Sequence, residues 1–141
     1  MISPARSKGL PRLPECPLIG FIARLDFQKG VDILSYECKF KVVLGCWEKE
    51  HEEWIAYAEP SLKERLRGRG GFSSPISHRI IAGCDILLIP SRFEPCGSNS
   101  MRSMRYGTIP VVHATGGIQD SVKNFNIDLE SRDEGTGYVY M

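Results

Sequence analysis

The sequence lacks most of the features that would assign it to a special class of protein. Its 141 residues carry 18 Lys and Arg against 17 Asp and Glu, and a net charge of +1 gives no reason to expect nucleic acid or an anionic membrane as a partner. No apolar run approaches the length of a transmembrane helix, and the N-terminus lacks the apolar core of a signal peptide. Since 42% of the residues are hydrophobic, we expect an ordered globular domain.

Paired cysteine motifs are also absent. The five cysteines form no C-x-x-C pair, and the three histidines are scattered along the chain. This pattern predicts neither a metal site nor a disulfide framework, and it is typical of thiols in a reducing compartment. The glycine-rich segment 67–72 lacks Walker spacing, so its likeness to a phosphate-binding loop is superficial.

The stretch 83–117 predicts a strand, a helix and a second strand. Residues 85–90 open with Asp85 and continue as an apolar run that indicates a strand buried on both faces, and residues 99–106 are rich in helix formers. Gly107 is a natural helix stop, and residues 109–113 are again apolar. Such a βαβ unit is nearly always right-handed, with parallel strands, so we expect an α/β fold with a Rossmann-like parallel sheet.

The loop between this strand and helix carries Glu94 and ends at Gly97. Ligands bind outside the carboxyl ends of the strands in open parallel sheets, and free N–H groups at a helix start attract anions. A carboxylate at this point suits a substrate that carries a phosphate and an electron-poor centre. The alternative interpretation is a solvated glutamate in a surface loop.

A second cluster of polar residues follows the strand predicted at residues 17–23. Arg24 and Lys29 lie in the loop at its carboxyl end, and we expect them at the same sheet edge as Glu94. Two cations at that edge would clamp a diphosphate, with Arg as a bidentate fork and Lys as a point charge. An exposed basic turn is the alternative interpretation.

The remaining segments predict shorter elements. A helix is expected to begin at 31–34 and a strand at 40–45, which leaves a cramped connection for a parallel crossover. Ser77 is expected to cap a helix that runs through residue 82. The other predicted elements are amphipathic helices in the region 54–66, a short helix at 118–125, a turn at 135–137 and a strand at 138–140.

Four separated segments identify a family resemblance. The chain resembles starch synthases and bacterial glycogen synthases, and most of all plant soluble starch synthases, in PLIGFIARLDFQKGVDIL, SHRIIAGCDILLIPSRFEPCG, MRYGTIPVVHATGGIQDSVKNFN and EGTGY. The resemblance implies the GT-B fold, in which two Rossmann-like domains face each other across a cleft. It implies that residues 17–141 are part of the C-terminal, nucleotide-sugar-binding domain. Residues 1–16 carry three prolines and no acidic residue before Glu15, so their composition indicates an irregular lead-in, with an organelle transit peptide as the alternative.

The same resemblance implies a reaction: a glucosyltransferase moves glucose from ADP-glucose to the non-reducing end of an α-1,4-glucan with retention, without a metal or another cofactor. It assigns the donor's diphosphate to Arg24 and Lys29 and the glucose to Glu94, and these three are the implied catalytic residues. The implied donor-binding set adds three residues of the loop and helix start: Cys96, Gly97 and Asn99.

The sequence also departs from the family. Ser98, Ser100 and Arg102 replace larger apolar or amide groups, which should weaken the packing of the helix, and the resemblance does not extend to the family's N-terminal domain with its acceptor groove. The resemblance therefore predicts a fragment that is inactive alone. The alternatives are a non-catalytic or degenerate module that binds donor, glucan or full-length synthases, and a retaining transferase that uses a UDP-sugar.

The expected partners and compartment follow from the resemblance. The partners are ADP-glucose, an α-1,4-glucan acceptor, the N-terminal domain and other starch-synthesis enzymes. A plant protein of this family would work in the plastid, either chloroplast or amyloplast, and a bacterial one in the cytoplasm.

Overall fold

The structure is a computed structural model that describes residues 15–35, 41–46, 60, 64–71, 73–125 and 135–141. These residues form a six-stranded β-sheet and four α-helices. The strands are β1 (Leu18–Ala23), β2 (Lys41–Cys46), β3 (Leu66–Arg69), β4 (Ile86–Ile89), β5 (Ile109–His113) and β6 (Tyr138–Tyr140). The helices are α1 (Val31–Ser35), α2 (Ser74–Gly83), α3 (Ser98–Tyr106) and α4 (Ile118–Ser121), and a 3-10 turn spans Phe27–Lys29.

All neighbouring strands are parallel, in the order β3-β2-β1-β4-β5-β6. The chain runs outward from β1 through β2 to β3 and then crosses back to place β4 on the other side of β1. The predicted α/β class with a Rossmann-like parallel sheet is confirmed. The order of strands reverses between β1 and β4, which is where open sheets of this kind bind ligands.

The apolar runs predicted the strands to within about one residue, but one face of β4 is less buried than expected. Leu87 and Ile89 are buried, whereas Ile86 and Leu88 are only half-buried. The prediction that both faces are buried is therefore wrong. Leu88 is half-buried because it lines an open cleft instead of packing under a helix.

The connection between β1 and β2 accommodates a parallel crossover, contrary to the expectation that it is cramped. All six residues of β1 pair with β2, from Leu18 with Lys41 to Ala23 with Cys46. The expectation considered only the residues after α1, whereas the whole connection spans residues 24–40 and exceeds the dozen residues that such a crossover needs.

Three other elements differ from their predictions. Helix α2 begins at Ser74, and Ser77 lies inside it with its hydroxyl donating to the carbonyl of Ser73 at 3.1 Å, so Ser77 is not the cap. Leu66, expected at the end of the amphipathic helices, instead begins β3, and the first three residues of segment 67–72 complete that strand. Helix α4 ends at Ser121, since Asn124 pairs with the chain before β6. The helices predicted at 54–66 fall almost wholly outside the described residues.

Helix α2 covers the centre of the sheet, and its residues Ile80 and Ile81 are buried in the core. Cys84, just after α2, packs so closely on β1 that a Cβ on Gly20 would lie 2.7 Å from the Cys84 sulfur. Burial raises the pKa of the Cys84 thiol to about 12. Among the described residues, no helix is both long and apolar enough to span a bilayer.

Candidate functional site

A cleft of about 360 Å³ opens where the order of strands reverses. It lies between the carboxyl ends of β1 and β4 and is closed on one side by the first turns of α3. Two loops form its rim: the Lys29 loop, residues 24–32, follows β1, and the Glu94 loop, residues 90–97, follows β4. Four of the residues predicted from the sequence line the cleft: Arg24, Lys29, Glu94 and Asn99.

Lys29 and Glu94 form an ion pair inside the cleft. The Lys29 ammonium lies 2.7 Å from Glu94 Oε2, and the two side chains are 14% and 20% exposed. The Ser91 hydroxyl donates to the same carboxylate oxygen at 3.2 Å, and the ammonium also lies 3.4 Å from the carbonyl of Phe93. The cleft thus holds a positive and a negative group side by side, with little water around either.

A tight turn delivers Lys29 to this position. Asp26 caps the 3-10 turn, because its carboxylate accepts the backbone N–H of Lys29 at 2.9 Å. The turn ends at Gly30, whose φ of 74° lies in the left-handed region. A Cβ at Gly30 would lie 2.4 Å from the carbonyl oxygen of Pro90, so only glycine lets the Lys29 loop approach the end of β4 this closely.

Arg24 lies farther out than Lys29. Its side chain is 45% exposed, and its guanidinium lies 3.4 Å from Asp26 Oδ2 and 3.3 Å from Gln28 Oε1. Both partners belong to the Lys29 loop itself. Arg24 is therefore a rim cation, and its contacts are the weak, water-screened kind that a ligand can replace.

The three residues predicted at the start of α3 occupy different positions. Asn99 lines the cleft, and its Nδ2 donates to the carbonyl of Ile22 at 3.0 Å. Gly97 adopts a left-handed conformation with φ of 59° immediately before α3, and Cys96 is exposed. Neither Gly97 nor Cys96 is among the residues that line the cleft.

The cleft is also lined by three residues that the sequence patterns did not assign to it: Ser91, Ser98 and Arg102. Arg102 lies one helical turn after Ser98, so the spacing of four residues along α3 was the signal for a third cation on the same wall. Among the residues that the structure describes, the Arg102 guanidinium forms no ion pair with a carboxylate.

The serines of α3 explain how a helix with few apolar residues packs. Ser100 and Ser103 are fully buried, and their hydroxyls donate to the carbonyls of Gly97 and Ser100 at 2.6 and 2.7 Å. The Ser100 hydroxyl also lies 3.2 Å from that of Ser121 on α4. Every one of these buried hydroxyls has a partner, as burial of a polar group requires.

A second ion pair joins the same two loops outside the cleft. Arg92 Nη1 and Nη2 donate to the two carboxylate oxygens of Asp32 at 2.8 and 2.7 Å. The hydrogen bond from Arg92 holds the pKa of Asp32 below its usual value, and the same contact raises the pKa of Arg92. No local sequence pattern indicated this pair, because its members lie in segments that only the fold brings together.

The arrangement favours binding of an anionic ligand with a polar, electron-poor part. The cations are Lys29, Arg24 and Arg102, and the carboxylate is Glu94, which can face a developing positive charge. Within the described ranges, no three His, Cys, Asp or Glu side chains are grouped as metal ligands would be.

No protein-family model matches the chain. It is 54% identical over 140 residues to soluble starch synthase 1, chloroplastic/amyloplastic, of Solanum tuberosum, and 52% identical over 141 residues to starch synthase 1, chloroplastic/amyloplastic, of Arabidopsis thaliana. Each alignment covers 94% of this chain and 22% of the relative. The chain thus spans about a fifth of the length of the relatives that it matches.

A solved structure with the same fold supports these relationships. The catalytic domain of starch synthase IV from Arabidopsis thaliana, bound to ADP and acarbose, superimposes with a TM-score of 0.77 and 32% sequence identity. The match covers 96% of this chain and 30% of that one. The predicted GT-B type of Rossmann-like sheet and the resemblance to starch synthases are both confirmed.

Proposed function

Because the chain is a homologue of the starch synthases, we propose that it forms the donor-binding part of a glucosyltransferase that uses ADP-glucose. Residues 17–141 then belong to the C-terminal domain of a GT-B enzyme, and the cleft between β1 and β4 receives the donor. The observation that carries the proposal is the ion pair of Lys29 with Glu94 at the point where the order of strands reverses.

The donor's diphosphate is proposed to lie against Lys29 and Arg24. Lys29 provides a point charge of low exposure, and Arg24 on the rim exchanges its contacts with Asp26 and Gln28 for phosphate oxygens. These cations stabilise the negative charge that grows on ADP as it leaves. The ADP in the starch synthase IV structure supports an adenine nucleotide as the donor.

The glucose of the donor is proposed to lie against Glu94. When the bond between the anomeric carbon and the ADP oxygen breaks, the electron pair leaves with ADP, and the sugar becomes oxocarbenium-like. The Glu94 carboxylate stabilises that positive charge, while a hydroxyl of the α-1,4-glucan forms the new bond on the face that ADP leaves and gives its proton to the departing phosphate oxygen. This course retains the anomeric configuration. The backbone around Cys96 and Gly97 and the amide of Asn99 complete the proposed donor site.

The compartment is proposed from the relatives, both of which are chloroplastic/amyloplastic by name. The proposal places a plant protein in the plastid, with an α-1,4-glucan as acceptor and an N-terminal GT-B domain as the opposite wall of the cleft. Retaining transfer needs donor and acceptor held together, and such positioning contributes about 7–11 kcal/mol to lowering the barrier.

Competition binding tests the donor. ADP-glucose should displace labelled ADP from the chain, and UDP-glucose should compete more weakly. A control variant, Lys123→Ala, changes a lysine outside the cleft and should bind as the unaltered chain does. Preference for UDP-glucose, or the absence of ADP-glucose binding, would contradict the proposal.

Transfer is tested with labelled ADP-glucose and a glucan primer. The 141 residues alone should transfer little, and the same residues fused behind the N-terminal domain of the potato relative should elongate the primer. Equal turnover by both proteins would show that the acceptor needs no second domain. Inactivity of the fusion would favour the alternative of a non-catalytic module.

A further inference from the structure

Two ion pairs join the Lys29 loop to the Glu94 loop, and their polarities are opposite. In the cleft, the cation comes from the Lys29 loop and the anion, Glu94, from the other loop. Outside the cleft, the anion Asp32 comes from the Lys29 loop and the cation Arg92 from the Glu94 loop. Asp32 lies three residues after Lys29, and Arg92 lies two residues before Glu94. Each member of the outer pair is therefore close in sequence to one member of the pair in the cleft.

Arg92 holds the Lys29 loop through more than its carboxylate partner. Its Nη1 also donates to the carbonyl of Phe27 at 2.7 Å, and its guanidinium lies 3.8 Å from the centre of the Phe27 ring. Its backbone N–H donates to the carbonyl of Gln28 at 2.8 Å. These contacts fix the 3-10 turn that ends in Lys29.

The position of this pair argues against a main role in stability or in direct contact with the donor. The side chains of Arg92 and Asp32 are 37% and 40% exposed, and exposed pairs contribute little to the free energy of unfolding. Neither residue lines the cleft. A bidentate pair nevertheless fixes the relative orientation of its two side chains as well as their distance. The single contact of the Lys29 ammonium with Glu94 fixes only a distance.

We infer that the Arg92–Asp32 pair is a clamp that keeps Lys29 and Glu94 aligned when a donor phosphate competes with Glu94 for the Lys29 ammonium. The inference rests on the proposed function. Phosphate binding weakens the charged contact between the two loops inside the cleft, and the clamp outside it is untouched by that exchange. Arg92 and Asp32 are thus positioning residues, which act through Lys29 and Glu94.

Donor binding by clamp variants tests the inference. Asp32→Asn keeps the size of the side chain and removes its charge, and it should weaken the affinity for ADP-glucose about tenfold in calorimetric titration. Asp32→Glu retains the carboxylate and should recover most of that loss. Asp120→Asn, an equally mild change at an exposed residue of α4, is the matched control and should leave the affinity unchanged.

A double-mutant cycle separates positioning from a general structural effect. If the clamp acts through Lys29, then adding Asp32→Asn to Lys29→Ala should change donor affinity much less than tenfold. Additive effects would overturn the inference. A large fall in the unfolding temperature of Asp32→Asn would do the same, because the pair would then be a stability element.

A measurement without donor keeps the clamp testable even if the proposed function fails. The rate at which acetic anhydride labels the Lys29 amine, read by mass spectrometry, reports how firmly Glu94 holds it. Asp32→Asn should raise this rate by a factor of roughly three, with Lys123 as the internal reference. An unchanged labelling rate would contradict the proposed clamp. A raised rate in a chain that binds no ADP-glucose would support the clamp and contradict the proposal that ADP-glucose is the donor.

Discussion

Asn99 donates a hydrogen bond from its Nδ2 to the carbonyl of Ile22, 3.0 Å away, across the reversal in strand order. This bond joins the first turn of α3 to the end of β1, two elements far apart in the sequence. Two walls of the cleft are therefore fixed to each other by a side chain that also lines it. Together with the two ion pairs between the loops, this hydrogen bond holds the walls of the cleft in place without a bound ligand.

Lys29→Ala should weaken donor binding more than any other single change at a cation of the cleft. It removes a charge-assisted bond to phosphate, which is worth about 1.5–3 kcal/mol. The loss should be largest at low salt, because added salt screens the attraction between the Lys29 ammonium and the phosphate. Calorimetric titration with ADP-glucose at two salt concentrations measures it, beside Lys123→Ala. An unchanged affinity would show that Lys29 does not face the donor.

Glu94→Gln should separate nucleotide binding from sugar transfer. The change frees the Lys29 ammonium from its partner at 2.7 Å, so ADP alone should bind as well as before or up to about fivefold more tightly. Transfer by the fused protein should be lost, since no carboxylate remains beside the sugar. Titration with ADP and the primer assay give the two results. Weaker ADP binding together with full transfer would contradict the assignment of Glu94 to the sugar.

Gly30→Ala should destabilise the fold more than Gly71→Ala does. Both glycines have positive φ, 74° and 81°, and each alanine costs about 1–2 kcal/mol for that conformation. Only at Gly30 does the new Cβ meet the carbonyl of Pro90, whereas nothing lies within 4 Å at Gly71. The overpacking adds about 1–3 kcal/mol. Urea unfolding measures the free energy of unfolding of both variants. Equal losses would mean that the Lys29 loop moves away from Pro90 at no energetic cost.

The buried thiol of Cys84 should make the fold less stable in alkaline solution. Its pKa rises on folding from 9.0 to about 12 because of burial, so above pH 9 the unfolded chain loses this proton while the folded chain keeps it. The folded state binds more protons, and its stability therefore falls as the pH rises from about 9 to 12. Burial also raises the pKa of Tyr140, which acts in the same direction.

Urea unfolding between pH 8 and pH 11 checks this dependence, with Cys84→Ala as the comparison. The variant loses some packing at every pH, but its stability should decline less steeply above pH 9, with the remainder due to Tyr140. Parallel curves for the two proteins would show that Cys84 ionises in the folded state as readily as in the unfolded one.

The sequence predicted the strands and the cleft residues better than the helix starts and the clamp. Apolar runs located β1, β4 and β5 to within about one residue, because the period and length of such runs depend on local chemistry. The sequence predicted the N-cap of helix α2 at Ser77, because Ser is a common N-cap residue. Pro75 in the first turn was the stronger signal, and it indicates the earlier start that the structure shows.

The contact of Arg92 with Asp32 illustrates what a local pattern does not contain. The two residues are 60 positions apart, and each alone is an ordinary charged residue of a polar segment. Their segments meet in the fold, where Gly30 approaches the carbonyl of Pro90 and the Arg92 N–H donates to the carbonyl of Gln28. The ion pair of Lys29 with Glu94 was closer to prediction, since both residues follow strands whose ends were expected at one edge.

Strand β1 pairs with β2, which follows it directly, and with β4, which is synthesised only after the whole of β2, β3 and α2. Parallel pairing over such sequence separations is slow, because the entropy of closing the long loop is lost before the contacts form. A nascent chain that ends before β4 would carry Arg24 and Lys29 without Glu94 or Asn99. The proposed donor site would thus be complete only once both halves of the sheet have joined, and a bound donor would slow unfolding by holding β1 and β4 together.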